Sequence, residues 1–305
     1  MRVFVTGASG HVGSAVIPEL LQSSHQVTGL ARSDEAAATI EAAGGAVQRG
    51  TLDDVDVLRQ AAGDHDAVIH LAFKHDLMFG GDRDGAIAAD LRAIKTIGEA
   101  LEGTNKPFVT TSGTMMLAFA GITGRPGTEH DAVAAGPRVD AENHVIALAD
   151  KGVRSSVVRL PPTVHSHLDH HGFVPTLIAI AREKGYAGYP GDGDNVWPAG
   201  HTLDAARIYR LAIESAPAGT RLHAVGDEGI PFREIAATFG RMLDIPTRSI
   251  PAEEGEAYFS WLSAFVDTDN PTSAALTRRA LGWKPEHPGL IEDLEQGHYF
   301  AEAVV

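Results

Sequence analysis

Four histidines and one aspartate fall within seven positions of the chain, at His165, His167, Asp169, His170 and His171. Imidazole nitrogens and carboxylate oxygens can bind a transition metal, and an imidazole can also exchange a proton near neutral pH. His165 and His167 would share one face of an extended segment, to which Asp169 could add an oxygen ligand. The stretch therefore has three interpretations: a metal site, a proton-handling pocket, or a solvated loop rich in histidine.

Three glycines near the start of the chain follow the spacing G-x-x-G-x-x-G. They stand between a short apolar run at residues 3–5 and an apolar pattern of helical period that begins at Val12. Glycines there let the chain turn tightly and let backbone N–H groups approach a pyrophosphate, whose charge a helix N-terminus favours. This strand–glycine–helix context predicts a dinucleotide site. Its loop consists of Gly7, Ser9, Gly10, His11, Val12 and Gly13.

The end of the second predicted strand indicates which dinucleotide is bound. A protein that selects NAD usually has an Asp or Glu there for the ribose 2′-hydroxyl, but this chain has Ala31, Arg32 and Ser33. A guanidinium pairs with a 2′-phosphate through charge-assisted hydrogen bonds, whereas a carboxylate would repel it. The other interpretation of Arg32 is a solvated surface arginine. We predict NADP(H) as the preferred cofactor, held by Arg32 and Ser33, and NAD(H) as the alternative.

The first half of the chain alternates apolar strands with amphipathic helices. This alternation predicts an α/β fold with a doubly wound parallel sheet, whose ligands lie beyond the carboxyl ends of the strands. Leu52 and Asp53 follow one such end and are predicted to meet the adenine. The residues after the fourth strand are predicted to contact the nicotinamide half: Leu71, Ala72, Phe73 and Lys74.

The composition excludes several classes of function. A formal net charge of −15 over 305 residues disfavours nucleic acid and anionic membrane surfaces as partners. The absence of cysteine excludes disulfides, thiolate metal sites and a cysteine nucleophile. No apolar run approaches the ~20 residues that span a bilayer, and no signal peptide precedes the first strand. We expect a cytoplasmic protein that acts on a small-molecule substrate.

Six segments, in this order, resemble the short-chain dehydrogenase/reductase superfamily in its extended form, which includes epimerases and dehydratases. They read TGASGHVG, VIHLAF, VTTSGT, VVRLPPTV, GHTLDAARIY and LTRRALGWKP. The resemblance implies a Rossmann-type core that binds the dinucleotide at residues 1–160. It also implies a smaller C-terminal substrate lobe at residues 161–305, from which some segments return to the core.

Members of that superfamily usually carry a catalytic serine and a Tyr-x-x-x-Lys pair, in which the tyrosine hydroxyl exchanges the proton. If Glu142 matches the family's usual Ala-Glu, the tyrosine position falls on Ala134 and the lysine position on Arg138. The chain thus resembles an atypical member that lacks the tyrosine. The resemblance implies that Arg138 holds the nicotinamide ribose, and Pro161, after the VVRL strand, completes the predicted cofactor contacts.

Other residues must then polarise the substrate oxygen. Ser112 and Thr114 flank the glycine at which the family's serine often stands, and His165 follows the next strand. Lys74 is first a cofactor contact and second an acid. His167, His170 and His171 are expected on the loop surface. No metal is expected, because a nicotinamide could supply the chemistry and no second ligand pattern supports an ion.

The preferred prediction is an NADP(H)-dependent oxidoreductase that reduces a small, rather hydrophobic ketone or related carbonyl compound, or catalyses the reverse oxidation. The alternative is a non-catalytic NADP(H)-binding redox sensor or scaffold, favoured by the missing tyrosine. An epimerase or dehydratase is the third interpretation. The predicted helices 84–103 and 137–150 leave the oligomeric state open, because they could form a homodimer bundle or be covered by the chain itself.

Overall fold

The computed structural model describes residues 1–136 and 138–301, and for Phe79 the backbone alone. The strands are β1 Arg2–Thr6, β2 Gln26–Ala31, β3 Ala46–Arg49, β4 Ala67–His70, β5 Pro107–Gly113, β6 Arg154–Leu160, β7 Thr163–His165, β8 Ala187–Pro190, β9 Val196–His201, β10 Thr220–His223, β11 Asp227–Pro231 and β12 Thr247–Ile250. The helices are α1 His11–Gln22, α2 Asp34–Ala42, α3 Val55–Asp64, α4 His75–Phe79, α5 Arg83–Leu101, α6 Met115–Phe119, α7 Val139–Ala147, α8 Phe173–Lys184, α9 Thr202–Ser215, α10 Phe232–Leu243, α11 Gly255–Phe259, α12 Ser263–Val266, α13 Ala275–Leu281 and α14 Leu290–Glu295.

Seven parallel strands form the central sheet, in the order β10-β6-β5-β4-β1-β2-β3. The order reverses direction at β1, so the loops after β1 and β4 open a crevice at the carboxyl edge of the sheet. This arrangement is the Rossmann-type doubly wound fold, and the predicted fold class is confirmed.

Both faces of the sheet are covered, which explains the continuous apolar character of its strands. Successive side chains of β1 point to opposite faces. Val3 and Val5 pack with α1, α2 and α9, whereas Phe4 packs with α3, α5 and α7. The two helices considered for a homodimer bundle correspond to α5 and α7, which each bury one face within this chain. Pro137, at the start of the predicted helix 137–150, lies outside the described residues.

A smaller lobe follows β6 and has its own core around Trp197. A sheet of β11-β9-β7 and the parallel pair β12-β8 support this core, on which α8, α10 and α14 pack. The chain returns to the larger core twice, because α9 packs on α1 and β10 extends the central sheet beside β6. Within the described ranges, no helix combines the length and apolar character needed to cross a membrane.

Candidate active site

The glycine loop joins β1 to α1. Backbone atoms approach Gly7 and Gly13 so closely that neither position has room for a side chain. Gly7 has φ +70°, and a Cβ there would lie 2.6 Å from the backbone nitrogen of Ala72. A Cβ on Gly13 would lie 2.1 Å from the carbonyl oxygen of Gly7. No side chain caps α1 at Gly10, so its first N–H groups remain available for an anion. Ser9, His11 and Val12 complete this loop and the first turn of α1.

Arg32 extends into solvent just beyond β2. Its side chain is 68% exposed, and its Nη1 donates to Asp76 Oδ2 at 3.2 Å, on α4. The neighbouring Ser33 caps α2, because its hydroxyl oxygen accepts from the backbone nitrogen of Ala36 at 3.1 Å. The structure thus leaves one accessible guanidinium at the strand end where a 2′-phosphate is predicted.

Lys74 is paired across the crevice with Asp53. Both the Lys74 ammonium and Arg92 Nη2 donate to the Asp53 carboxylate, Arg92 at 2.8 Å. The hydrogen bond from Lys74 is the main reason that the pKa of Asp53 lies below its usual range. Leu52 is buried beside the core. Lys74 therefore links the strand ends predicted to hold the two halves of the cofactor, and its second role, as an acid, remains a prediction.

Arg138 lies where the ends of β4 and β5 meet. Its Nη2 donates to the carbonyl oxygen of Thr111 at 3.3 Å, and its guanidinium carbon lies 4.2 Å from the centre of the Phe73 ring. Its backbone φ is +62°, a value that residues other than glycine adopt uncommonly. This geometry brings Phe73 and Arg138 together, beside the partly buried Leu71 and Ala72.

A buried chain of side chains leads from the glycine loop to Arg138, and sequence reasoning missed it. His70 Nδ1 lies 2.8 Å from Thr6 Oγ1, and His70 Nε2 lies 3.1 Å from Asp90 Oδ1. Arg138 Nε approaches the other oxygen of Asp90 at 3.9 Å, so the guanidinium faces a buried carboxylate. The available signal was Asp90, the one charged residue on the buried face of α5.

The two hydroxyl candidates on and after β5 are directed inward. Ser112 is 5% exposed, on the side of the sheet where Glu142 pairs with Arg159. Thr114 is fully buried, and its hydroxyl oxygen accepts from Asn270 Nδ2 at 3.0 Å. Both residues are at the carboxyl end of β5, where the crevice opens, but their hydroxyl groups are buried in the protein interior. Their catalytic roles remain predictions.

His165 is buried at the end of β7. Its Nδ1 lies 2.8 Å from Asp293 Oδ2, while its Nε2 has no hydrogen-bond partner among the described residues. Burial raises the pKa of Asp293, but the hydrogen bond and charge of His165 outweigh it and hold that pKa below its usual value. His167, His170 and His171 are exposed. The histidine-rich stretch is thus divided between one buried imidazole and three surface ones.

The model of the NAD dependent epimerase/dehydratase family matches residues 3–225. The chain belongs to this family. The cofactor class of the NAD dependent epimerase/dehydratase family is a nicotinamide dinucleotide, in keeping with the uncapped helix α1 behind the glycine loop.

Relatives of the chain match most of its length. The uncharacterized protein C2A9.02 of Schizosaccharomyces pombe is 47% identical over 98% of this chain and 100% of its own. A 2-alkyl-3-oxoalkanoate reductase of Stenotrophomonas maltophilia is 30% identical over 77% of this chain and 73% of its own. Among solved structures, the UDP-glucose 4-epimerase of Thermotoga maritima has a TM-score of 0.77 at 16% identity, covering 98% of each chain, which shows the shared fold.

In this member of the epimerase/dehydratase family, a phenol reaches the end of β5 from an unexpected helix. Tyr209 on α9 is fully buried, and its hydroxyl lies 2.8 Å from Thr111 Oγ1. Burial raises the pKa of this phenol, although the hydrogen bond to Thr111 and the charge of Arg138 act in the opposite direction. Tyr209 therefore packs beneath the crevice and is not presented to a substrate. Its place in GHTLDAARIY was the one signal for this residue in the sequence.

His11 connects the glycine loop to the smaller lobe. Its Nε2 lies 2.8 Å from Thr202 Oγ1, and its Nδ1 lies 3.8 Å from Asp169 Oδ1. Burial lowers the pKa of His11 to about 4 and raises that of Asp169 to about 6, so it shifts each group toward its neutral form. Pro161 is buried just after β6, where a Cβ on Gly200 would lie 3.3 Å from its Cγ atom.

In the described part of the chain, His201, Asp204 and His287 form a group with donor atoms close enough for a metal ion. Their donor atoms are already engaged. His287 Nδ1 lies 3.0 Å from Asp204 Oδ1, and the same carboxylate accepts the backbone N–H groups of Glu286 and His287. His201 Nδ1 accepts from the backbone nitrogen of Leu203 at 3.3 Å. Through these hydrogen bonds, the group holds the start of α9 against the segment that precedes α14.

Proposed function

We propose that the chain is an NADP(H)-dependent oxidoreductase that reduces a small, rather hydrophobic ketone or related carbonyl compound, or catalyses the reverse oxidation. The observation that carries the proposal is the guanidinium of Arg138, held over Phe73 at the joined ends of β4 and β5. This fixed cation lies at the edge of the sheet where the fold binds its ligand. It is suited to hold a ribose and to stabilise negative charge that develops on a carbonyl oxygen.

The cofactor preference rests on the other end of the crevice. The N–H groups of α1 would receive the pyrophosphate, and Arg32 would pair with the 2′-phosphate in place of Asp76. Asp53, already bound by Lys74 and Arg92, would mark the adenine edge. A bound nicotinamide supplies or accepts the hydride. The proton on the substrate oxygen would come from one of the candidates Ser112, Thr114, His165 and Lys74.

The relatives favour reduction over the other activities of the family. The Stenotrophomonas maltophilia relative is named for the reduction of a 2-alkyl-3-oxoalkanoate, a ketone with an alkyl chain. That alkanoate also carries a carboxylate, so at 30% identity the relative supports the reaction class and a carbonyl compound with an alkyl part. A redox sensor is the second candidate, and the buried positions of Ser112, Thr114 and His165 favour it.

Cofactor oxidation by the purified protein tests the proposal. NADPH consumption would be followed against a panel of ketones, quinones and imines, with cofactor saturation checked by fluorescence. We expect turnover, and we expect Arg138→Met to lower kcat about 10²-fold, since removing one preorganised donor typically costs this much. Arg138→Lys should restore part of the loss, whereas Arg59→Ala, a surface control on α3, should change nothing. Tight NADPH binding without turnover across the panel would favour the sensor.

A further inference from the structure

Four aromatic side chains form one connected group between the two lobes, which we call the aromatic wall: Phe119, Phe173, Trp261 and Phe265. Phe119 ends α6, the helix that follows β5, whereas the other three belong to the smaller lobe. The ring centres of Phe119 and Phe265 are 6.0 Å apart, and those of Phe173 and Phe265 are 5.5 Å apart. Trp261 meets both Phe173 and Phe265 edge to face, an arrangement that aromatic pairs prefer.

The aromatic wall is open to solvent at two points. Phe119 is 58% exposed and Trp261 is 42% exposed, and apart from Met1 they are the exposed large hydrophobic side chains of the described chain. Both contact Phe265, so the exposed apolar surface is concentrated at one place. Exposed apolar surface gathered in this way marks a binding site more often than scattered single residues do.

The position of the wall connects it to the candidate active site. Thr114, which immediately precedes α6, is tied to the smaller lobe by the hydrogen bond from Asn270. Gly127 and Thr272 form a further bridge between the segment after α6 and that lobe. Ser260, directly before Trp261, has φ +54°, a left-handed conformation that turns the chain into the wall. The aromatic wall thus spans the junction between the smaller lobe and α6, the helix that follows the carboxyl end of β5.

We propose that the aromatic wall binds an aryl group carried by the carbonyl substrate. This inference rests on the proposed function and adds the substrate class. A flat ring stacks on aromatic side chains with a gain beyond its apolar area, whereas a saturated ring of similar size lacks that gain.

The exposed area favours a small ligand over a second copy of the chain. An aromatic side chain offers 150–250 Å² in full, so the exposed fractions of Phe119 and Trp261 correspond to about 200 Å² together. A stable dimer needs about 800 Å² from each partner. The wall is large enough for one aromatic ring and too small for a subunit interface by itself.

The test compares two ketones that differ in their ring, acetophenone and cyclohexyl methyl ketone. Binding to the full chain saturated with NADP⁺ would be measured by saturation-transfer NMR, which needs no turnover. We expect acetophenone to bind about three- to tenfold more tightly, in line with the worth of an aromatic pair. Phe119→Leu and Trp261→Leu should abolish this preference, whereas Trp261→Phe should retain it. Unchanged NADPH affinity and circular dichroism would verify that each variant is folded.

Equal binding of the two ketones to the natural chain would overturn the inference, and so would a preference that survives both leucine variants. A dimer in solution that both leucine variants dissociate would assign the wall to a second copy and also overturn it. Selective aryl binding without turnover of either ketone would contradict the proposed reduction but leave the aryl site standing. Turnover without aryl preference would have the reverse meaning.

Discussion

Arg32 is the single side chain on which the proposed preference for NADP(H) depends. It is exposed at the end of β2, and its surface ion pair with Asp76 contributes little, because such pairs are worth about 0–1 kcal/mol. A 2′-phosphate would therefore displace Asp76 at small cost and gain a charge-assisted contact.

Replacing this residue should separate the two cofactors. In Arg32→Ala we expect the Kd for NADPH to rise about 10- to 100-fold, since a hydrogen bond to a charged group is worth about 1.5–3 kcal/mol. The Kd for NADH should stay within twofold of the natural protein. Fluorescence titration of both cofactors measures this, with Arg59→Ala as the matched exposed arginine. Parallel losses for NADH and NADPH would show that Arg32 does not read the phosphate.

Among the secondary-structure elements, the β1–α1 unit has a conformation that depends directly on particular residues of its sequence. Three glycines remove the Cβ atoms that would collide within the loop, and the absence of a capping side chain leaves the helix N-terminus free. The loop geometry therefore depends on backbone contacts that no larger residue can make.

Gly13→Ala should disrupt this unit, because its Cβ would lie 2.1 Å from one backbone oxygen and 2.7 Å from another. We expect the free energy of unfolding to fall by about 3 kcal/mol or more, as in other overpacked sites, and NADPH binding to be lost. Gly63→Ala in α3 is the control. Nothing lies within 4 Å of its Cβ, so it should stabilise the protein by about 0.5–1 kcal/mol. Urea unfolding of both variants provides the comparison, and similar effects in the two would contradict this account of the loop.

Local sequence patterns were sufficient to predict the main elements of the fold, but not the contacts between residues that are distant in the chain. The strand–glycine–helix pattern and the alternation of elements are local, and the parallel sheet follows from them. The position of Arg138 near β4 and β5 follows from the family resemblance. His165 was a candidate from sequence, but its pairing with Asp293 could not be predicted, because the two residues are 128 positions apart in the chain. The link from Thr6 through His70 to Asp90 was equally hidden, since three separate elements bring it together.

For the whole molecule, buried histidines should dominate the pH dependence of stability. Burial lowers the pKa of His11, His201 and His223 to about 4, so the unfolded chain binds more protons than the folded one between about pH 6.5 and 4. Their contribution to stability is therefore lost as the pH falls through this window. Asp169 acts in the opposite direction, because its pKa is raised to about 6 and the folded form takes up the proton first.

We expect the free energy of unfolding to fall by about 4 kcal/mol between pH 7 and pH 5, with about 2 kcal/mol lost per histidine and part regained at Asp169. Urea unfolding at half-unit steps of pH measures this slope. His11→Gln should make the slope shallower, whereas Asp169→Asn should make it steeper. A stability that stays constant or rises toward pH 5 would show that these groups do not govern it.

Because β10 returns to the central sheet, the chain cannot be cut between its two lobes into fragments that each fold. The edge of β6 is covered by a strand that the chain reaches only after building most of the smaller lobe's own sheet. A gene cut after residue 160 would encode a fragment in which β6 is an unpaired sheet edge, and such an edge is a template for intermolecular pairing. The fragment would also lack α9, which packs against α1 and β5 on one face of the sheet. The complementary fragment would carry β10 with no neighbour. The two lobes are therefore inseparable as expression units, and shuffling either one into another protein would have to carry the segment 202–225 with the Rossmann core.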